Sequence, residues 1–331
     1  MFDFQKVTQW IACPQCKGTL TLVDTPQSRR YSCDSCRRDY PIIDDIPRFL
    51  TVDDSLLAQA KEHWEDSPHF QYEATNPLYS REYYEAQDVW RQEEVDMFCM
   101  DEYRFASLHG LVTLDIGSGS GWVVKQAAKH GAFSMGVDFT EKAAISTREA
   151  LRTYGLANGM AIMADAQYLP FQTGVIDRVT SIGVLHHIPD TEKGVAEAWR
   201  VIKPGGTAFI SLYGKLFFFN PVLFPIATFF LRLLLKAPAK RDGIQHTEDY
   251  EQFYRFMDGP TNPIGRFYTN EELRQLFSSF RIERMSRSHF PFRFLYLGPI
   301  HLHKVMPRFL YRMIDRHLGM MVNVQLSRPG T

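Results

Sequence analysis

The sequence predicts an α/β protein built on a doubly wound parallel sheet, with a small cysteine-bearing module ahead of it and an apolar insertion after its fifth strand. Three observations carry this. From about 111 to 212, short apolar runs alternate with amphipathic helical stretches at the spacing of βαβ units. A glycine-rich turn, LDIGSGSGW at 114–122, follows the first of those runs and opens a helix. Four of the five cysteines fall in the first forty residues as two C-x-x-C pairs.

With 331 residues, 45% of them hydrophobic, the chain has room for a catalytic domain of about 200 residues and smaller units beside it. A formal net charge of -1 gives no global attraction to nucleic acid or anionic lipid, so any basic surface must be local. The last fifty residues are the candidate: Arg281, Arg284, Arg287, Arg293, Lys304, Arg308, Arg312 and Arg316 face only Glu283 and Asp315. The opening MFDFQKVTQW shows no basic leader, no continuous apolar core and no small-residue cleavage site. A cytoplasmic protein is therefore the expectation, with contact to a membrane surface left open. In a reducing compartment, paired cysteines read as metal ligands before disulfides.

The first element, 1–50, is short and turn-rich and ends in the β-leaning run DYPIIDDIPRFL. Residues 51–110 read as helical and acidic, carrying Trp64, Tyr72, Tyr83, Tyr84 and Trp90. The core, 111–213, offers LVTLDI, FSMGVD, GMAIMA, VIDRVTSIGV and TAFISLY as strands, with KQAAKHG, EKAAISTREALRTYG and GVAEAWRVIK as helices between them. Residues 214–265 interrupt the rhythm. In the last part, 266–331, TNEELRQLFSSF restores it, and Thr269 with Glu272 three residues on forms a capping-box pattern that starts a helix.

Gly117, Gly119 and Gly121 in the turn permit a sharp bend and let a ligand lie against bare backbone, with Ser118 between them. Their G-x-G-x-G spacing is not the pattern that seats a pyrophosphate. Asp115, just ahead of the turn, would repel a diphosphate and suits a ligand with an ammonium and a sulfonium. Asp138, closing the second strand, stands where an acid takes both ribose hydroxyls. Asp165, closing the third, is placed to accept a hydrogen bond from an adenine amino group beside an apolar slot. Three acids at three successive strand ends form one constellation.

Residues 111–212 resemble a class I S-adenosylmethionine-dependent methyltransferase of the broad small-molecule type 11 group, through LDIGSGSG, GVD, ADAQYLPF, IDRVTSIGVLHHIPD and EAWRVIKPGGTAFIS in that order. The resemblance implies a Rossmann-like seven-strand sheet of order 3-2-1-4-5-7-6 with the last strand antiparallel. It implies that Asp115 and the glycines border the methionine moiety, that Asp138, with Phe139 beside it, binds the ribose, and that Asp165 with Ala166 holds the adenine. Ile182 and Gly183 would lie beneath the cofactor. His186 and His187, after the fourth strand, are the general-base candidates for methyl transfer, with a structural or cofactor-lining role as the alternative. Tyr213 either faces the acceptor or belongs to the core.

Cys13, Cys16, Cys33 and Cys36 can close a tetrahedral thiolate cage suited to zinc and in principle to iron, a disulfide pair being the alternative. Four protein ligands leave no open position, so the metal is expected to be structural. The stretch resembles the zinc-ribbon module of the Trm112-like family, departing from it where Arg37 and Arg38 replace the usual glycine. Cys99 reads as core.

The run GKLFFFNPVLFPIATFFLRLLLK at 214–236 sits where the resemblance implies a substrate cover. Pro225 limits its helix to about 18 Å, short of the roughly 30 Å hydrocarbon core, so a simple span is disfavoured. Thr228, Arg232, Lys236 and Lys240 share one stripe, opposite Ile226, Phe229, Phe230, Leu233 and Leu234. That face either packs on the protein or rests in a membrane interface. Either way the expected acceptor is a hydrophobic small molecule: isoprenoid, quinone-like, polyketide or lipid-linked. The alternatives are a tRNA or rRNA methyltransferase that clamps nucleic acid between ribbon and tail, and a scaffold that binds the cofactor without catalysis. The RNA reading needs the tail's basic residues to be continuous with Arg29, Arg30, Arg37 and Arg38 of the ribbon.

Overall fold

The computed structural model describes residues 2–50, 55–66, 76–97, 99–215, 229, 261–290, 296–297, 300–301 and 306–330. The apolar run and its cationic stripe, expected as a substrate cover, lie outside the described residues from 216 to 236 except for Phe229.

The N-terminal module consists of a short helix α1 (Phe4–Val7) and an antiparallel sheet of β1 (Leu20–Asp24), β2 (Arg29–Cys33), β3 (Asp39–Ile43) and β4 (Ile46–Pro47), in that order. Each C-x-x-C pair closes a turn of the same build. Lys17 N donates to Cys13 O at 2.8 Å and Cys13 N to Gly18 O at 2.9 Å; Arg37 N donates to Cys33 O at 3.0 Å and Cys33 N to Arg38 O at 2.9 Å. Lys17 and Arg37 sit at φ +58° and +62°. These are left-handed positions that cost a non-glycine residue about 1–2 kcal/mol, so the missing glycine leaves the second turn intact at that cost.

The module is too small to enclose a core, and it shares one. Val7, Ile11, Tyr31, Tyr40 and Phe49 belong to the same apolar cluster as Leu169, Phe171 and the central strands. Backbone bonds fix the joint: Phe49 N to Met163 O at 2.7 Å, Ala12 N to Pro170 O at 3.1 Å and Gln172 N to Trp10 O at 2.8 Å.

Helices α2 (Ser55–Asp66) and α3 (Arg81–Trp90) follow, the latter running into a π turn at Arg91–Val95. The main sheet comprises β5 (Val112–Ile116), β6 (Phe133–Asp138), β7 (Gly159–Met163), β8 (Ile176–Ile182), β9 (Ile202–Tyr213), β10 (Arg281–Ser288) and β13 (Met321–Ser327). A two-residue hairpin pairs β11 (Tyr296–Leu297) with β12 (Ile300–His301). Across the main sheet the order is β7-β6-β5-β8-β9-β13-β10, that is 3-2-1-4-5-7-6 when its members are counted along the chain, and β13 is antiparallel to both neighbours. The helices are α4 (Trp122–Lys129), α5 (Glu141–Thr153), α6 (Thr191–Val201), α7 (Asn270–Leu276) and α8 (Arg308–Leu318). Thr269 and Glu272 make both bonds of the capping box at the start of α7. β9 starts five residues before the run TAFISLY, because the KPGG segment stays in the ladder with a register shift opposite Ile176 and Arg178.

Two consequences follow for the basic residues. The N-terminal module pairs with β7 while Arg281, Arg284 and Arg287 lie on β10, at opposite edges of a seven-stranded sheet roughly 29 Å wide at about 4.8 Å per strand. Moreover, Arg29 pairs with Asp24 and Asp45, and Arg30 with Asp39. The basic residues of β10 are thus not neighbours of Arg29 and Arg30, as an RNA clamp would require of them.

Candidate active site

The carboxyl ends of β5 to β8 open on one cavity of about 300 Å³. This is where open α/β sheets hold their ligands, because the chain diverges there to either face. Asp115, Gly117, Ser118, Gly119, Asp138, Phe139, Asp165, Ala166, Ile182, Gly183, His187 and Tyr213 all line it. Gly121 does not. It caps α4 at φ +78°, and a Cβ there would come within 2.6 Å of the Thr147 Cα, so this glycine serves the close approach of α4 to α5.

Asp138 is oriented by its own turn. One carboxylate oxygen accepts from Thr140 N at 3.0 Å and Thr140 Oγ1 at 2.8 Å, and the other accepts from Gly119 N at 3.1 Å. The glycine loop and the second strand are thereby locked together. Asp165 accepts from Gln167 N at 2.8 Å and opens the short turn Ala166–Tyr168. Burial pushes the pKa of Asp115 well above its ordinary value, with Asp138 adding to the effect and the Arg91 guanidinium opposing it. Burial likewise raises Asp138, against its bonds from Thr140 and Gly119. Two carboxylates held this way favour a cationic ligand, which would relieve their desolvation.

The paired histidines separate. His187 lines the cavity, its Nδ1 lying 2.7 Å from Ile264 O. Nδ1 therefore donates, and in the neutral ring Nε2 is the basic nitrogen. Its ring lies 5.0 Å from Trp64 and stands at 90° to Tyr213. His186 is off the cavity wall, fully buried, and its ring centroid lies 3.9 Å from that of Tyr213, tilted by 35°. Neither of its ring nitrogens has a hydrogen-bond partner among the described residues, and burial holds its pKa well below the usual range.

The sequence reading missed a second group on the wall: Trp90, Arg91 and Val95 from the end of α3 and its π turn, Leu57 and Trp64 from α2, His289 just after β10 and Met321 at the start of β13. Arg91 Nη1 lies 3.1 Å from Asp96 Oδ2, and its guanidinium stands over the Trp90 and Trp122 rings. On the other side of Asp96, His289 Nε2 is 3.3 Å from Oδ1. Burial works against the Asp96 charge, but Arg91 and His289 overcome it and hold its pKa at about 2. Behind His289, Ser211 Oγ donates to Asn323 Oδ1 at 2.6 Å and Asn323 Nδ2 to Ser288 Oγ at 2.8 Å. The hydroxyl proton of Ser288 is then directed to His289 Nδ1, which puts the imidazole proton on Nε2, facing Asp96. His289 also takes φ +65°, a left-handed position of the kind that clusters at functional sites. The only legible hint of this group was the density of aromatic residues between 53 and 105.

Residues 114–210 match the methyltransferase domain family. The ubiquinone biosynthesis O-methyltransferase of Methylococcus capsulatus is 34% identical over 109 residues, 33% of this chain and 46% of that protein. A chloroplastic 2-methyl-6-phytyl-1,4-hydroquinone methyltransferase of Oryza sativa is 33% identical over 100 residues, 30% of each chain. The ubiquinone biosynthesis O-methyltransferase of Aromatoleum aromaticum is 31% identical over 154 residues, 46% of this chain and 61% of that protein. The chain thus spans about half the length of the curated relatives it matches. The matched segment contains the glycine loop, the three acids and His187; the Arg91 and His289 group comes from outside it.

Proposed function

We propose that the protein transfers the methyl group of S-adenosylmethionine to a hydrophobic, quinone-like small molecule. The observation that carries this reading is one cavity holding Asp115, Asp138 and Asp165 at three successive strand ends, with Trp64, Trp90, Trp122 and Tyr213 on its walls. The acids suit the ammonium, ribose and adenine of the cofactor in turn, and Arg91 offers a countercharge for its carboxylate. The aromatic walls suit a flat apolar acceptor. The matched relatives act on ubiquinone precursors and a hydroquinone by their names, which points in the same direction.

When bound, S-adenosylmethionine supplies an already activated methyl group. What remains for this chain is to hold the acceptor behind it, an orientation effect worth roughly 7–11 kcal/mol in favourable cases, and to accept a proton. His187, with Nε2 basic, is assigned that second task; Tyr213 and Trp64 hold its ring.

The four cysteines are assigned a structural zinc ion. Their sulfur atoms lie within 4.8 Å of one another, with Cys13 to Cys36 at 3.6 Å and Cys16 to Cys33 at 3.5 Å. A tetrahedron with metal–sulfur bonds of about 2.3 Å has edges of roughly 3.8 Å, so the donor set fits. The setting we assign is the cytoplasm, in peripheral contact with a membrane; among the described residues no helix is long and apolar enough to cross one.

The test is incubation with methyl-labelled S-adenosylmethionine and cell extract divided into lipid, RNA and protein fractions. Label in the lipid fraction is expected, and label confined to RNA would overturn the reading.

A further inference from the structure

We propose that α8 docks the protein on an anionic lipid surface and that this docking places the cavity at the membrane. The inference deepens the hydrophobic-acceptor reading and rests on it for its purpose, but its evidence is separate.

α8 is the most one-sided helix described. At about 100° per residue, Arg308, Arg312 and Arg316 follow one another at steps of roughly 40° and form a single stripe. Phe309 and Met313 lie directly beside that stripe, and Leu310 and Ile314 continue the apolar arc. The exposures are unusual for such residues: Phe309 is 76% and Met313 51% exposed, and all three arginines are exposed. The one acidic residue of the helix, Asp315, is turned inward and buried, where it accepts from Phe290 N at 2.7 Å. Its solvent face therefore combines a cationic stripe with two large apolar side chains. That is the composition of helices lying in the plane of a membrane interface, the apolar side chains entering below the headgroups and the arginines meeting phosphates. A partner protein would need one patch both acidic and apolar, whereas an anionic bilayer offers both everywhere.

The helix is also tied to the cavity. Gly319, just past its end, donates to Asp315 O at 2.8 Å and accepts from Arg287 Nη1 at 3.1 Å. A Cβ at Gly319 would come within 2.3 Å of Ser288 O, so helix and strand are pressed together there. His289 and Met321, each within two residues of this joint, line the cavity. A bilayer touching α8 thus lies close to the part of the cavity wall formed by His289 and Met321.

The experiment is vesicle flotation of the full chain, with phosphatidylcholine alone and with roughly a third phosphatidylglycerol, alongside S-adenosylmethionine binding and molar mass in solution. At about fivefold in affinity per surface arginine, Arg308 and Arg316 alone predict a preference for anionic vesicles of roughly twentyfold, lost in high salt. Phe309→Ser with Met313→Ser, and separately Arg308→Glu with Arg316→Glu, should each lower partitioning at least tenfold and leave cofactor binding unchanged. Equal flotation of the variants overturns the proposal, as does equal binding to neutral vesicles. So does a wild-type dimer that the apolar variant converts to monomer, because the face would then belong to a second copy. Vesicle binding without cofactor binding would keep the docking and remove the methyl-transfer reading.

Discussion

Lys125 has no exposed side-chain surface, yet it lies in α4 with its Nζ 2.7 Å from Asp88 Oδ1 on α3 and 3.3 Å from Tyr84 O. Burial is the larger influence and pushes its pKa down, the Asp88 bond pulls it back, and the balance is about 8. Asp88→Asn removes the countercharge while keeping an acceptor oxygen. The damage is bounded, because the variant can release the lysine proton instead. That release costs the folded state about 1.4 kcal/mol for each pH unit below 8. The loss of stability is thus at most about 1.4 kcal/mol at pH 7 and about 2.7 kcal/mol at pH 6, and it vanishes by pH 9. At roughly 2–4 °C per kcal/mol for a domain of this size, the variant melts about 3–6 °C below wild type at pH 7 and up to about 11 °C below it at pH 6. The sign follows from the depressed value: the wild type itself gains stability from this lysine as pH rises from 8 towards 10.4, where the unfolded chain still binds the proton. Thermal melts of both proteins from pH 6 to 9 check this. A constant offset, or a gap widening towards alkaline pH, would show that the pair is not the joint between α3 and α4. Since α3 delivers Trp90 and Arg91 to the cavity, weaker cofactor binding at pH 6 should accompany the loss.

Further outcomes can be measured. Because Asp115 and Asp138 are raised by burial, a cationic ligand should bind their charged forms; affinity for S-adenosylmethionine falls as pH drops through the raised values, while the ligand-free fold gains stability from the same groups in that direction. The ligand-induced rise in melting temperature should therefore shrink towards acid, and a pH-independent rise would contradict the assignment. His187→Gln is expected to lower kcat by about 10²-fold or more, with the dissociation constant of S-adenosylmethionine held within twofold. His186→Phe, at a ring whose nitrogens have no hydrogen-bond partner among the described residues, should leave kcat within threefold; steady-state kinetics and calorimetry on the two variants separate a proton acceptor from a packing residue. Chelating the zinc proposed for the four cysteines should weaken cofactor binding at least tenfold, because Ala12 and Trp10 hold the chain at Pro170 and Gln172, immediately after the Asp165 turn. Unchanged binding by the metal-free protein would dissociate the two.

What the sequence made legible was local. A strand of five or six residues ending in an acid, as in LDIGSGSG or GVDFT, announces both its conformation and its place at the sheet edge, so Asp115, Asp138 and Asp165 could be named. The C-x-x-C turns are local as well, and their geometry survives the loss of glycine because backbone bonds from Lys17 and Arg37 impose it. The order of the last two strands was legible only through family resemblance, since β10 and β13 bear no local mark of which sits beside β9. Arg91 and His289 were not legible at all. They meet at Asp96 across nearly two hundred residues of chain, and an arginine in an acidic helix or a histidine after a basic strand looks like solvated surface until the fold brings them together. The HH dipeptide was ambiguous for the same reason: adjacent residues in a short turn face different ways, and only the packing of Tyr213 decides which one reaches the cavity.

An open sheet has two rims whose unpaired backbone groups can recruit strands from other molecules. Here the outer rim at β10 carries Arg281, Glu283, Arg284 and Arg287 and is broken by a register shift between Ile282 and Arg284. The rim at β7 has no such charges, every residue from Gly159 to Met163 being buried; it is shielded by the N-terminal cysteine module, which bridges to it at Arg48 and Met163. The cysteine module is thus the guard of an adhesive edge. Withdrawing the zinc proposed for it should convert the protein into one that assembles through β7, with turbidity growing in step with zinc loss and ahead of any unfolding of the remaining sheet.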